Sequence, residues 1–319
     1  MNRRQFLAGS TILASIPPMS TPAKAQAGRR AVAIMVVGAG PANLAPQGLL
    51  QGLEEHGLAV GRDFSVRFVD EGRQHLDSEL RATKADLIFA VGSRGVAAAR
   101  SATKDVPIIG IDLESEPLSE GLVTSFARPG GNLTGMFLDQ PTLAAKWLQF
   151  LSETVPAISR IAVLRQPQLG TGQWRAAEAA ARRSHIALQP FEFEPESLDR
   201  AFGDIVAYRP DALIILSSPA VVANRTRIAA NALAARIPSI TMFRVYAEAG
   251  GLLAYGPDPH IMGHRSASYV VRVLRGAPPG TLPIEQPSRF ELAVNLATSR
   301  DLGLTVPLWV QASADTLIE

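Results

Sequence analysis

The chain has 319 residues, 47% of them apolar, with 31 basic and 29 acidic side chains and 0 cysteines. That is enough apolar chain for two hydrophobic cores, and it excludes disulfides, thiolate metal sites and a lipid anchor on an N-terminal cysteine. Beyond the N-terminus the only adjacent basic pairs are Arg29-Arg30 and Arg182-Arg183, so the chain lacks a nucleic-acid footprint and no nucleic-acid partner is expected.

Residues 1–25 read as a signal peptide of the twin-arginine type. Arg3-Arg4 precedes Gln5-Phe6-Leu7, an apolar stretch runs from Ala8 to Ile16, and Ala23-Lys24-Ala25 supplies a small-x-small cleavage pattern. A general secretory leader that happens to hold paired arginines is the alternative. The apolar stretch is shorter than the roughly 20 residues that span a bilayer. Cleavage would remove Arg3, Arg4 and Lys24 and leave 294 residues with 28 basic and 29 acidic groups. No later apolar run approaches spanning length, so the expected product is a soluble periplasmic protein without a lipid anchor.

From there short apolar runs alternate with amphipathic segments. The expected strands are Ala31–Val37, Phe64–Val69, Asp86–Val91, Ile108–Asp112, Arg160–Arg165, Ile186–Phe193, Asp211–Ser217, Ser239–Phe243, Leu252–Tyr255 and Glu291–Leu296. Most are bounded by Gly, Pro, Asp or Ser. Between them lie helical patterns such as Leu44, Leu50, Leu53, closed by Gly57, and Leu198, Phe202, Ile205. Strand–helix alternation predicts parallel sheets with helices on both faces.

Two segments echo one another. Lys84-Ala85-Asp86 leads into an apolar run, Ser93, an alanine-rich helix and Pro107; Arg209-Pro210-Asp211 leads into another run, Ser218, a similar helix and Pro238. Generic likeness between α/β units and a pair of lobes of like topology both account for the echo. Phe126–Gly135, rich in Gly and Pro, reads either as a loop or as the first passage between lobes. Tyr255–Pro259 and the stretch from Ala277 to Pro287 are the other candidate crossings.

Gly38-Ala39-Gly40-Pro41-Ala42, after the first strand, imitates the start of a dinucleotide fingerprint, with Asp70 and Glu71 after the second strand as ribose-binding candidates. This motivates an alternative reading, an exported flavin or nicotinamide oxidoreductase. Asn43 at the third glycine position argues against it, and the primary expectation is no cofactor. Gly92-Ser93-Arg94 opens a helix, where free N–H groups and a cation suit an anion. Ser218-Pro219 is its counterpart. His260 and His264 share a helix face with no third metal ligand nearby, and Glu192/Glu194 alternate along a strand as solvated carboxylates. No nucleophile elbow or Ser/His/Asp set can be assembled, so no enzyme activity is expected.

Four segments give the sequence a specific resemblance: GLVTSFARPGGNLTGM at 121–136, RIAVLRQP at 160–167, FRVYAEAGGLLAYGPD at 243–258 and LPIEQPSRFELAVNLATSRDLGLTVP at 282–307. Together they resemble the ABC transporter substrate-binding proteins that include tryptophan/tyrosine-type importers, over about 30–319. The sequence departs from that pattern in its Gly-Ala-Gly loop and in Ser218-Pro219, where Asp-Pro is usual. The resemblance implies a type I periplasmic-binding fold: two Rossmann-like lobes with parallel sheets and a three-crossover hinge. Lobe one is expected over 29–139 plus 257–285, and lobe two over 140–256 plus 286–319. It further implies a monomer that captures a small molecule, such as an amino acid or aromatic carboxylate, and passes it to an inner-membrane permease. A periplasmic ligand-sensing subunit is the remaining alternative. The expected ligand-binding residues, placed after strand ends in both lobes, are Gly40, Ser93, Arg94, Asp112, Gln166, Ser218, Phe243 and Tyr255.

Overall fold

The structure, a computed structural model, describes residues 32–69 and 76–319, without the side chains of Asp77 and Arg81. The leader read at 1–25 and the candidate acids Asp70 and Glu71 lie outside the described residues. The first sheet is laid down by β1 (Val32–Val37), α1 (Leu44–Glu55), β2 (Phe64–Val69), α2 (Leu76–Thr83), β3 (Leu87–Val91), α3 (Gly92–Ala102), β4 (Ile108–Asp112) and β5 (Leu133–Phe137). Its strands are parallel in the order β2-β1-β3-β4-β5. Alternate residues of β1 enter different cores: Ile34 and Val36 pack with Leu49 and Leu53 of α1, while Met35 and Val37 pack with Leu80 and Val96. Burial of both faces is why the inner strands β1 and β3 read as unbroken apolar runs.

The second sheet follows: α4 (Gln140–Thr154), β6 (Arg160–Arg165), α5 (Thr171–Arg183), β7 (Ala187–Glu192), α6 (Leu198–Tyr208), β8 (Ala212–Ile215), α7 (Pro219–Ala223), α8 (Arg225–Ala234), β9 (Ser239–Thr241), α9 (Arg244–Glu248) and β10 (Leu253–Pro257). After α10 (Pro259–Leu274) it is completed by β11 (Phe290–Asn295), α11 (Leu296–Leu302), α12 (Leu308–Ala312) and β12 (Thr316–Ile318). The order is β12-β11-β10-β9-β8-β6-β7. The sheet departs from the all-parallel expectation at one pair: β11 runs antiparallel to β10, with Phe290 opposite Pro257. The chain re-enters this sheet from the side where β10 leaves it, so β11 must run back along its neighbour.

The chain passes between the sheets after β5, after β10 and before β11. The second passage carries α10 back onto α1, and the contact is tight. A Cβ at Gly48 would overlap the His260 carbonyl, and one at Gly263 would overlap the Ala45 carbonyl. The segment after α10 then lies along β5: Glu285 N–H donates to the Gly135 carbonyl at 3.0 Å, Phe137 N–H donates to the Glu285 carbonyl at 3.0 Å, and Thr134 Oγ1 donates to the Leu282 carbonyl at 2.8 Å. The first passage falls later than the Phe126–Gly135 stretch. Its Arg-Pro-Gly-Gly-Asn turn leads into β5, which the sequence reading did not separate from the loop.

The two echoed segments do the same job. Asp86 Oδ2 accepts the Ala33 N–H at 2.8 Å, and the Asp86 N–H donates to the Ala33 carbonyl at 2.9 Å. Asp211 Oδ2 accepts the Arg160 N–H at 2.8 Å, and its own N–H donates to the Arg160 carbonyl at 2.8 Å. Each aspartate ties the start of its strand to the neighbouring strand, in one sheet and then in the other. Among the described residues no helix is long and apolar enough to cross a membrane.

Candidate functional site

A cavity of about 580 Å³ lies between the carboxyl ends of the two sheets, within the roughly 300–1,000 Å³ range of small-molecule sites. The first sheet supplies Gly38–Gly40 after β1, Val91–Arg94 at the end of β3, and Ile111, Leu113 and Glu114 around the end of β4. The second supplies Ser217–Pro219, Val222, Ala223 and Arg225 after β8, Met242–Val245 after β9, Gly256–Pro259 where β10 gives way to α10, and Glu291 at the start of β11. Open α/β sheets hold ligands at such carboxyl ends, where loops and helix starts converge.

Of the residues expected from sequence, Gly40, Ser93, Arg94, Ser218 and Phe243 line this cavity. Ser93 Oγ is buried without a hydrogen-bond partner. Ser218 Oγ is committed locally: it accepts the Val221 N–H at 3.2 Å and caps α7. Asp112, Gln166 and Tyr255 stand outside the lining. Asp112 is 0% exposed, and its Oδ1 accepts the N–H groups of Glu114 at 2.9 Å and Ser115 at 3.0 Å. It shapes the turn that carries Glu114. Burial, and then the nearby Glu114 charge, push the Asp112 carboxyl up to about 7. Gln166 Nε2 donates to Glu194 at 3.3 Å. Tyr255 stacks on Phe290 with ring centroids 5.5 Å apart and meets Phe150 at 5.1 Å, while its carbonyl accepts Trp147 Nε1 at 2.7 Å. Gly256 and Pro257, at the end of β10, line the cavity, while the Tyr255 ring packs against the core behind it.

The charged lining residues Glu114, Arg225, Arg244, Asp258 and Glu291 were not singled out from the sequence. Glu114 Oε2 accepts the Ser93 N–H at 2.8 Å, and its Oε1 accepts Ser217 Oγ at 3.4 Å. Arg244 lies 3.0 Å from Glu248 and 3.9 Å from Glu291. Burial, then the Asp258 charge, raise the Glu291 carboxyl above its ordinary range, opposed by Arg244. Asp258 Oδ1 accepts the His260 N–H at 2.7 Å and caps α10. The signals available were position alone: Glu114 two residues past a strand end, and Asp258 between prolines at a crossing.

The glycine loop after β1 is built for a helix start. Asn43, at the third glycine position of a dinucleotide fingerprint, accepts the Ala45 N–H on its side-chain oxygen at 3.0 Å and caps α1. His264 meets Glu55 at 2.7 Å and joins α10 to α1.

The family described as ABC transporter substrate binding protein matches residues 31–318. This chain belongs to that family. A curated relative, the tyrosine-binding protein of Clostridioides difficile strain R20291, is 25% identical over 276 residues, covering 82% of this chain and 76% of the relative. Among solved structures, the ABC domain from Streptococcus pneumonia in complex with L-Trp is 22% identical, with a TM-score of 0.82 over 91% of this chain and 100% of that one. A conserved domain protein from Vibrio cholerae gives 0.81 at 23% identity over 90% and 98% of the two chains. A ligand-free, open substrate-binding protein from Clostridium difficile gives 0.66 at 21% identity over 91% and 99%. The fold of this substrate-binding protein is the type I periplasmic-binding architecture implied by the sequence resemblance.

Proposed function

We propose that the protein is the exported, periplasmic component of an ABC importer, a monomer that binds an amino acid with an aromatic or large apolar side chain and delivers it to an inner-membrane permease. The observation that carries this reading is the cavity itself: it takes one wall from each sheet and combines apolar surface with both signs of charge. A zwitterion with an apolar side chain is the small molecule such a lining complements. The tyrosine-binding relative and the neighbour solved with L-Trp favour the same class. Lobes at 29–139 plus 257–285 and at 140–256 plus 286–319 would close on the ligand, and closure would present the permease-binding surface by population shift. No chemistry is assigned to the site.

Gly40, Ser93, Arg94, Ser218 and Phe243 are assigned to ligand contact, joined by Glu114. Asp112, Gln166 and Tyr255 support the walls from behind. Glu114 is the acceptor proposed for the ammonium group, and Arg94 the donor for the carboxylate. Calorimetric titration of the mature protein with the standard amino acids tests the reading. Saturable binding of tryptophan, tyrosine or phenylalanine, with little heat from glycine or aspartate, is expected. Absence of binding to every amino acid would overturn it.

A further inference from the structure

Just outside the cavity, α5 begins against the turn that follows β4. Gln173 is 1% exposed and uses both ends of its amide: Nε2 donates to the Leu113 carbonyl at 3.0 Å, and Oε1 accepts the Ser217 N–H at 2.8 Å. Leu113 and Ser217 both line the cavity, from opposite sheets. The Leu113 carbonyl takes a second bond from Gln140 Nε2 at 2.6 Å, and Ser217 Oγ reaches Glu114 at 3.4 Å. Gly172 completes the contact. A Cβ there would stand 2.9 Å from the Glu114 carbonyl oxygen and 3.1 Å from Glu116 Cγ, so the helix start lies against the turn with no room for a side chain.

We infer that Gly172 and Gln173 form an interlobe clasp that holds the cleft shut, with Gln173 the positioning residue that sets ligand residence time. The inference rests on the reading of a closing cleft. The physical logic is that Gln173 spans one cavity-lining group of each lobe, so opening the lobes breaks the Leu113 bond while leaving the bond to Ser217 within its own lobe. The clasp touches the cavity walls without touching the ligand, which separates its effect on release from any effect on recognition. A glycine at the second position of a helix has no helical merit of its own, since alanine is the better helix former. Its value lies in the close approach.

The test uses Gly172→Ala, which favours α5 but wedges the clasp, and Gln173→Glu, which is near-isosteric, keeps an acceptor for Ser217 and in its ionised form has no proton to donate to Leu113. The chain has 0 cysteines, so spin labels attach only at Ser101→Cys and Arg200→Cys, exposed sites on α3 and α6. Pulsed dipolar distances should lose their short component in both clasp variants. Stopped-flow with L-tryptophan should show the off-rate raised about tenfold or more with an on-rate little changed, since affinity changes within one interface fall mainly on dissociation. The ligand-free melting temperature of Gly172→Ala should stay level or rise. A lowered ligand-free melting temperature with unchanged distances would show a permanent packing contact and overturn the clasp, as would off-rates equal to the parent's. If the parent binds no amino acid, the proposed ligand class fails separately, and the distance distributions alone uphold or overturn the clasp.

Discussion

Glu114 Oε2 accepts the backbone N–H of Ser93 at 2.8 Å, at the first turn of α3. The start of this helix is where a ligand carboxylate was expected, because unpaired N–H groups there attract anions. The protein's own carboxylate stands there instead. The lobe-one wall therefore offers negative charge to the cavity at that point, and a zwitterion would enter with its ammonium group toward Glu114.

Glu114→Gln keeps an acceptor for Ser93 and removes the charge. Its expected effect is a loss of amino-acid affinity of about tenfold or more, since a charge-assisted bond contributes roughly 1.5–3 kcal/mol. Calorimetry should show the loss for tryptophan and a much smaller one for its deaminated analogue, indole-3-propionate. Equal losses for the two would place the ammonium elsewhere.

Asp112 gives a pH signature. Its carboxyl, ordinarily near 3.8, is pushed up to about 7 chiefly by burial. An acid raised on folding is protonated in the native state while still ionised in the unfolded chain. Its contribution to stability is therefore greatest below the unfolded value, declines as pH rises from about 4 to about 7, and levels off above. Asp112→Asn retains an acceptor for the Glu114 and Ser115 N–H groups. Denaturant unfolding at pH 5 and pH 8 should show a smaller difference for the variant than for the parent; the same slope in both would assign the pH dependence to other groups.

The seam between α1 and α10 gives a packing test. Gly263→Ala places a methyl on the Ala45 carbonyl. Overpacking of this kind costs typically about 1–3 kcal/mol. With somewhat under about 2 °C of melting temperature per kcal/mol in a chain of this size, thermal unfolding should drop by roughly 2–5 °C. An unchanged melting temperature would mean that the two helices part without penalty.

The architecture was legible because both sheets are buried on both faces, which writes each inner strand as an apolar run. β5 escaped because Gly135 interrupts Leu133–Phe137 and a Gly-Gly turn precedes it, so strand and loop share one composition. β12 escaped because its three residues are partly or fully exposed and carry no burial pattern. The cavity was half legible for a related reason. Glycine and serine after a strand end mark a strand-to-helix loop whatever the tertiary context, and Gly40, Ser93 and Ser218 followed from that. Glu114 did not, because Asp112 looks like the better candidate until the turn is seen to consume its carboxylate on two backbone N–H groups. Glu291 and Asp258 reach the cavity only through the antiparallel return of β11 and the crossing into α10, neither of which local pattern encodes.

Among the described residues Phe243 is the one aromatic side chain in the cavity lining, and it decides the last prediction. It precedes α9 at the carboxyl end of β9, partly buried against the main core, so one face packs inward while the ring also borders the cavity. An aromatic ligand would gain a ring–ring contact of about 0.5–1.5 kcal/mol there in addition to the area it buries, whereas a small aliphatic ligand gains neither in full. Phe243→Leu keeps apolar volume for the core and deletes the ring. The variant should fold with a melting temperature close to the parent's and lose about three- to tenfold in affinity for tryptophan while changing little toward leucine. The measurement is the ratio of the two affinities in parent and variant, because a general loosening of the wall lowers both together and leaves the ratio fixed. A fixed ratio would remove Phe243 from ligand recognition and leave the aromatic preference to be set by the size of the cavity alone.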